Sequence, residues 1–202
     1  MKRAFGLIFL LVFFFSLWSA GMDEAAAAGL PEKLLRLRVV AESDSPADQT
    51  DKLLVRDAIL RALRPMLADC GSLEEVRTVT AQALPLLAEA AADVLDREGR
   101  ALPLTLRLGA EDCPLRAYED FTLPAGSYET LTVTLGSGEG HNWWCVIFPP
   151  LCLAAAGESG EDGEEEWSVF SPAEKRLVTS GGVEVRFRCL ELWHKLCAWL
   201  RG

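Results

Sequence analysis

Residues 34 to 41 read LLRLRVVA, and no other stretch constrains the fold as much. In an extended chain Leu35, Leu37 and Val39 point one way and Arg36 and Arg38 the other, the pattern of a half-buried strand. A strand with one apolar face needs a cover on that face, and the next residues supply it as helices. In ESDSPADQ, Ser45 is placed as a helix N-cap, Pro46 at the first helical position and Asp48 at the third. Val55, Ala58, Ile59, Ala62 and Leu63 then share one face until Pro65, which should bend or stop the helix. Ser72, with Glu75 three residues on, starts a second helix. Its apolar spacing runs from Leu73 through a kink at Pro85 to Leu95, and Gly99 is a natural stop.

Alternation returns in Leu102, Leu104, Leu106 and Leu108, then near Leu115 to Phe121, from Tyr128 to Leu135 and from Trp143 to Phe148. Turns at Leu123-Pro124-Ala125-Gly126 and the glycine-rich GSGEG link the last of these. The expected fold is α+β: a mostly antiparallel sheet of about five strands with two helices packed on one face. An acidic spacer and a short C-terminal element complete it.

Both ends of the chain lie outside that plan. Lys2 and Arg3 precede an apolar run from Ala4 to Trp18, so residues 1–28 are expected to be a signal peptide or an N-terminal membrane anchor. The run is shorter than the ~20 residues of a comfortable span, which favours cleavage; if retained, residues 4–20 form the anchor. The exported domain is expected over 32–153. GESGEDGEEE marks 154–180 as an acidic linker or insertion, too poor in apolar residues to fold alone. Residues 181–202 are expected to dock on the domain as a C-terminal segment. There Val183, Val185 and Phe187 alternate while Leu190, Trp193 and Leu196 keep helical spacing, so periodicity leaves its state open. The net charge of −10 excludes nucleic acid, which needs a basic footprint, and limits membrane contact to the N-terminal segment.

The chemistry concentrates in GEGHNWWCVIFPPLC, residues 138–152. Adjacent Trp143 and Trp144 point to opposite faces of a strand, so a one-sided core buries only one of them. The other ring is expected on a surface, as a binding element, unless a helix or the C-terminal segment covers it. Pro149 and Pro150 end the strand and stiffen the chain beyond it. Cys145 and Cys152 can close this turn as a disulfide loop, although six cysteines allow fifteen pairings. Catalytic readings are thin. Asp44 and Asp48 are explained by capping; a Cys145–His141 pair competes with oxidation in an oxidising compartment; no serine elbow or HExxH occurs. The spacing of His141, Cys145 and Cys152 is not that of a zinc site, and no cofactor is expected. The GSGEG loop lacks the lysine of a phosphate cradle and suits a hairpin.

RLRVVAESDSPADQTDKLLVRDA (Arg36 to Ala58) and LPAGSYETLTVTLGSGEGHNWWCVIFPPLC (Leu123 to Cys152) closely resemble the stage II sporulation protein R family of endospore-forming bacteria. The resemblance covers roughly residues 32 to 153, with a weaker match from Val183 to Trp193. It departs at Glu42-Ser43-Asp44, where Asn-Ser-Asp is expected, and at His141. It implies an exported intercellular signal rather than an enzyme. Such a protein is secreted from the forespore into the intermembrane space, where it triggers a membrane-embedded aspartic protease, the sporulation sigma-E factor processing peptidase. The residues expected to contact that receptor are Glu139, Asn142, Trp143 and Trp144, with Asp44 and Gln49 from the earlier turn. Two alternatives stand beside this one: an exported enzyme acting on cell wall or disulfides, and a membrane-peripheral structural protein anchored by its tryptophans.

Overall fold

A computed structural model of the chain describes residues 27–118, 121–151 and 169–179. Residues 1–26 of the signal segment, Cys152, most of the acidic linker and the C-terminal segment lie outside them. The chain divides into two compact units, each treated by itself: Pro31–Cys113 with Gly126–Val169, and Met1–Leu30 with Pro114–Ala125 and Phe170–Gly202.

The larger unit follows the alternation closely. Strand β1 (Leu35–Val40) leads to helices α1 (Pro46–Leu67) and α2 (Leu73–Arg97), then to strand β2 (Leu104–Cys113). Ser45 caps α1 by accepting from the Asp48 N–H at 3.2 Å, and Ser72 caps α2 by accepting from Glu75. Pro65 lies near the end of α1, which closes at Leu67, whereas α2 runs unbroken through Pro85.

Two short strands, β3 (Arg116–Ala117) and β4 (Thr122–Leu123), precede β5 (Gly126–Leu135) and β6 (Asn142–Phe148). The main sheet has four strands in the order β2-β5-β1-β6. It is mostly antiparallel, but β1 and β5 pair in parallel, Leu37 opposite Leu131 and Val39 opposite Val133. The expectation of about five strands in one sheet is corrected to four, with β3 and β4 forming a separate ribbon. The parallel pair follows from the helices. After β1, α1 and the returning α2 bring the chain back to the end it left, so β2 descends and β5 rises beside β1.

Leu35, Leu37, Val39, Leu131, Val133, Leu135, Cys145 and Ile147 form the helix-facing side of the core, against Val55, Ile59 and Leu63 of α1 and Val76, Leu87 and Leu95 of α2. Burying each such side chain contributes about 1.5–3 kcal/mol. A register shift opposite Leu35 and Arg36 brings Phe148 into this core beside Ile147.

The other face of β1 is not the solvated face that alternation suggests. Arg36 is completely buried, with its guanidinium 5.0 Å from the Tyr128 ring centre and 4.9 Å from that of Trp144. Arg38 lies 5.2 Å over the same Trp144 ring and pairs with Glu111, which also accepts from Thr132 at 2.6 Å. Cation–ring contacts of this kind are worth about 2 kcal/mol when desolvated, which offsets part of the cost of a buried charge.

In the smaller unit, the β3–β4 ribbon pairs Arg116 with Leu123 and Ala117 with Thr122, and the Tyr118 and Phe121 rings stack at 4.5 Å. Within the stretch set aside as acidic linker, Pro172–Thr179 form helix α3. Its start is a reciprocal cap: the Glu174 N–H donates to Ser171 Oγ at 3.3 Å, and the Ser171 N–H donates to the Glu174 carboxylate at 2.6 Å.

Candidate functional site

Because β1 and β5 are parallel, they finish at the same end of the sheet. Three connections meet there: the turn after β1, the loop between α2 and β2, and the loop between β5 and β6. This brings the ESDSPADQ and GSGEGHN segments into one polar corner. The Glu139 N–H donates to the Glu42 carbonyl at 3.1 Å and the Gly140 N–H to the Ala41 carbonyl at 3.0 Å. Across a separation of 97 residues, the His141 N–H donates to Asp44 Oδ1 at 2.7 Å, and His141 Nδ1 bonds the same oxygen.

Glycine makes that approach possible. A Cβ at Gly140 would sit 2.4 Å from the Ser43 carbonyl oxygen, inside any permitted contact. Gly136, at φ +56°, lies under the Glu42 carboxylate, which accepts from the Ser137 N–H. The glycines of this loop thus serve two ends, a left-handed turn at Gly136 and Gly138 and close backbone packing at Gly140.

Beneath the loops lies a charged layer that sequence reasoning missed. Lys52 is nearly buried and donates to the His141 carbonyl at 3.2 Å and to Gln49 Oε1. Asp48 accepts from Ser43 and from Ser45 Oγ, the latter at 2.8 Å. Arg100, from the loop after α2, pairs with Asp48 and reaches Asp51 at 2.6 Å. The helical repeat held a readable signal: Asp48 and Lys52 fall on the same stripe as Val55 and Ile59, so charged groups had to be buried with partners. What no spacing revealed is that Arg100 is one of them.

These bonds set the ionisation of the corner. Hydrogen bonds from the His141 ring and backbone hold the Asp44 carboxyl below the usual carboxylate range. Those from Ser43 and Ser45, with Arg100, do the same for Asp48. Burial pulls the Lys52 ammonium down from its ordinary value, against the raising effect of Asp44. Hydrogen bonds and charge from Asp51 push Arg100 up. Every group here is committed to holding loops in place, and the exposed rim consists of Asp44, Glu139, His141 and Asn142.

Trp143 and Trp144 do take opposite faces, but neither stands free. Trp143 is half-buried on the helix side, with the Arg56 guanidinium 4.4 Å over its ring. Trp144 is only 9% exposed, set between Arg36 and Arg38. Gln49 is held by its neighbours: its amide donates to the Ser43 carbonyl at 2.9 Å while Lys52 donates to it. Asn142 is exposed and accepts from Arg38 Nε at 3.3 Å, and the Glu139 side chain points out unbonded among the described residues.

Cys145 is buried in β6. Cys70 and Cys113 are free thiols, so no disulfide links two described cysteines. The pairing with Cys152 rests on a residue outside the described set. Among the described residues no helix is long and apolar enough to cross a membrane, and no cluster of histidine, cysteine and carboxylate side chains could hold a metal ion.

Fold and corner together define a class: a small α+β unit with a polar rim supported by partly buried ion pairs. Comparison with known proteins makes that class specific. The model of the family described as stage II sporulation protein R matches residues 31–158. The stage II sporulation protein R of Bacillus subtilis (strain 168) is 35% identical over 161 residues, covering 79% of this chain and 72% of that protein. No solved structure matches the chain at a significant level. The chain belongs to the stage II sporulation protein R family. It is an extracellular signal of sporulation linked to sigma-E processing, an activator and not itself an enzyme.

Proposed function

We propose that the chain activates a membrane-embedded aspartic protease, the sporulation sigma-E factor processing peptidase, by seating its polar corner against that enzyme's outer face. One observation carries this reading. The segments around Asp44 and His141, far apart in the chain and both within the stretches that carry the family resemblance, are locked together by the Asp44–His141 bonds and by two backbone bonds. Buried Lys52 and the partly exposed Arg100 hold that arrangement before any partner arrives, so little ordering entropy is lost on binding.

Glu139, Asn142 and Asp44 form the contact rim, and the half-buried Trp143 extends it along the strand. Trp144 and Gln49 act beneath it, the first by supporting β6 and the second by holding the turn. A Cys145–Cys152 disulfide closes the stretch after β6 and keeps the rim in register. Binding can raise protease activity only by favouring the active conformation; a preference of about 1.4 kcal/mol shifts that equilibrium tenfold. The chain reaches its partner by secretion from the forespore into the intermembrane space, with residues 1–28 removed or retained as an anchor.

Glu139→Arg and Asn142→Ala test the rim, because neither side chain lies in the core. In cells that make the peptidase and the sigma-E precursor, each should lower precursor cleavage by about tenfold at unchanged export and unfolding temperature. Full cleavage with both variants would remove the corner from the contact surface.

A further inference from the structure

The two edges of the main sheet are finished differently. β6 contains a register shift, runs into Pro149 and Pro150, and is buried from Trp144 to Phe148. β2 has none of these protections. It pairs with β5 without interruption from Leu104 to Cys113, contains no proline, and has no strand beyond it among the described residues. Thr105, Arg107, Ala110 and Asp112 are exposed along it, and Leu104, Leu106 and Leu108 are half-buried. A long, uninterrupted edge of this kind is a template for another strand.

Among the described residues nothing within one copy requires glycine at position 109, in the middle of β2. Its backbone lies outside the left-handed region, and a Cβ there would meet nothing within 4 Å. Glycine inside a strand weakens it, and commonly marks a place where another chain approaches closely. Arg107 and Glu111 lie two residues to either side, on the same face as Gly109.

We propose that β2 is a self-association edge, at which a second copy of the chain pairs antiparallel about a two-fold axis through Leu108. Four strands from each copy then form one continuous sheet. In this register Leu108 opposes its counterpart, Leu106 opposes Ala110 of the second copy, and Arg107 opposes Gly109. Directly opposed residues point to the same face, so the Arg107 stem lies in the open space over Gly109. Its guanidinium then comes diagonally to Glu111 of the second copy. A register centred on Gly109 would instead set Leu106 against Asp112 and leave two glycines facing each other. The Leu108 register covers the half-buried leucines and gives the open space an occupant.

Sedimentation of the exported chain over a concentration series tests this directly. The wild type should form a dimer. Arg107→Glu, at a side chain 66% exposed, should raise its dissociation constant at least about tenfold. Gly109→Val, whose Cβ meets nothing within 4 Å among the described residues, should do the same by blocking Arg107. Mild oxidation of Leu108→Cys should give a dimer linked through position 108. A monomer at every concentration overturns the proposal, as does a dimer that both substitutions leave unchanged or that does not cross-link at 108.

Discussion

Replacing Gly140 by alanine should loosen the polar corner while leaving the core intact. The added Cβ would lie 2.4 Å from the Ser43 carbonyl oxygen, 2.6 Å from its carbon and 2.9 Å from the Ala41 Cβ. Ordinary carbon contacts begin near 3.5 Å, so the two backbones must separate by roughly 1 Å. The obstacle is main chain, which cannot turn aside as a long side chain can. That movement strains or breaks the bonds from the Glu139 and Gly140 N–H groups to Glu42 and Ala41. At about 0.5–1.5 kcal/mol for each bond, with about 1–3 kcal/mol for the overpacking itself, the loss comes to about 2–6 kcal/mol. At roughly 2–4 °C per kcal/mol, thermal unfolding should fall by about 4–24 °C. Gly71→Ala provides the matched control, because its Cβ would meet only the Glu75 carboxylate at 3.9 Å. Thermal scans of both variants, with sigma-E precursor cleavage measured in parallel, decide the matter. Equal unfolding temperatures for Gly140→Ala and Gly71→Ala would refute the claim that this glycine is required by close approach of the two loops.

Trp144→Ala should cost about 3–5 kcal/mol, because it removes a buried ring and leaves Arg36 and Arg38 with less cover. Denaturant unfolding reads this, and a cost below about 1 kcal/mol would return Trp144 to the surface. The lowered values of Asp44 and Asp48 fix a sign: depressed carboxyls contribute stability above the unfolded value of about 3.9, and that stability is lost as pH falls through their lower folded values. Unfolding temperature should therefore drop in the acid limb below about pH 4, and Asp48→Asn should flatten that limb. An unchanged acid limb in the variant would refute the assignment.

The elements themselves were legible because each depends on neighbours within a few residues. Ser45 and Ser72 announced their helices through local caps, and the alternation of Leu35, Leu37 and Val39 announced the strand they form. The opposed directions of Trp143 and Trp144 follow from the pleat alone. Pairing was less legible. The short β3 and β4 pair only with each other, and nothing in the alternation near Leu115 distinguishes a ribbon from a strand of the main sheet. Arg36 shows the same limit from the other side. Alternation assigns it a face but not what lies against that face, so a residue that looked solvated is fully buried between two rings.

The corner divides in the same way. From the sequence alone came its parts: a capped turn rich in serine and aspartate, a glycine-rich hairpin loop, an aromatic strand closed by prolines, and the family resemblance these carry. Only the tertiary structure decided that they are one site. The helical hairpin returns the chain so that β1 and β5 run parallel, and their ends then place Asp44 against His141 and Arg100 against Asp48. Local sequence sets torsions and faces over a few residues. Bringing groups together across 97 positions depends on how whole elements pack, and that energy is shared among all of them.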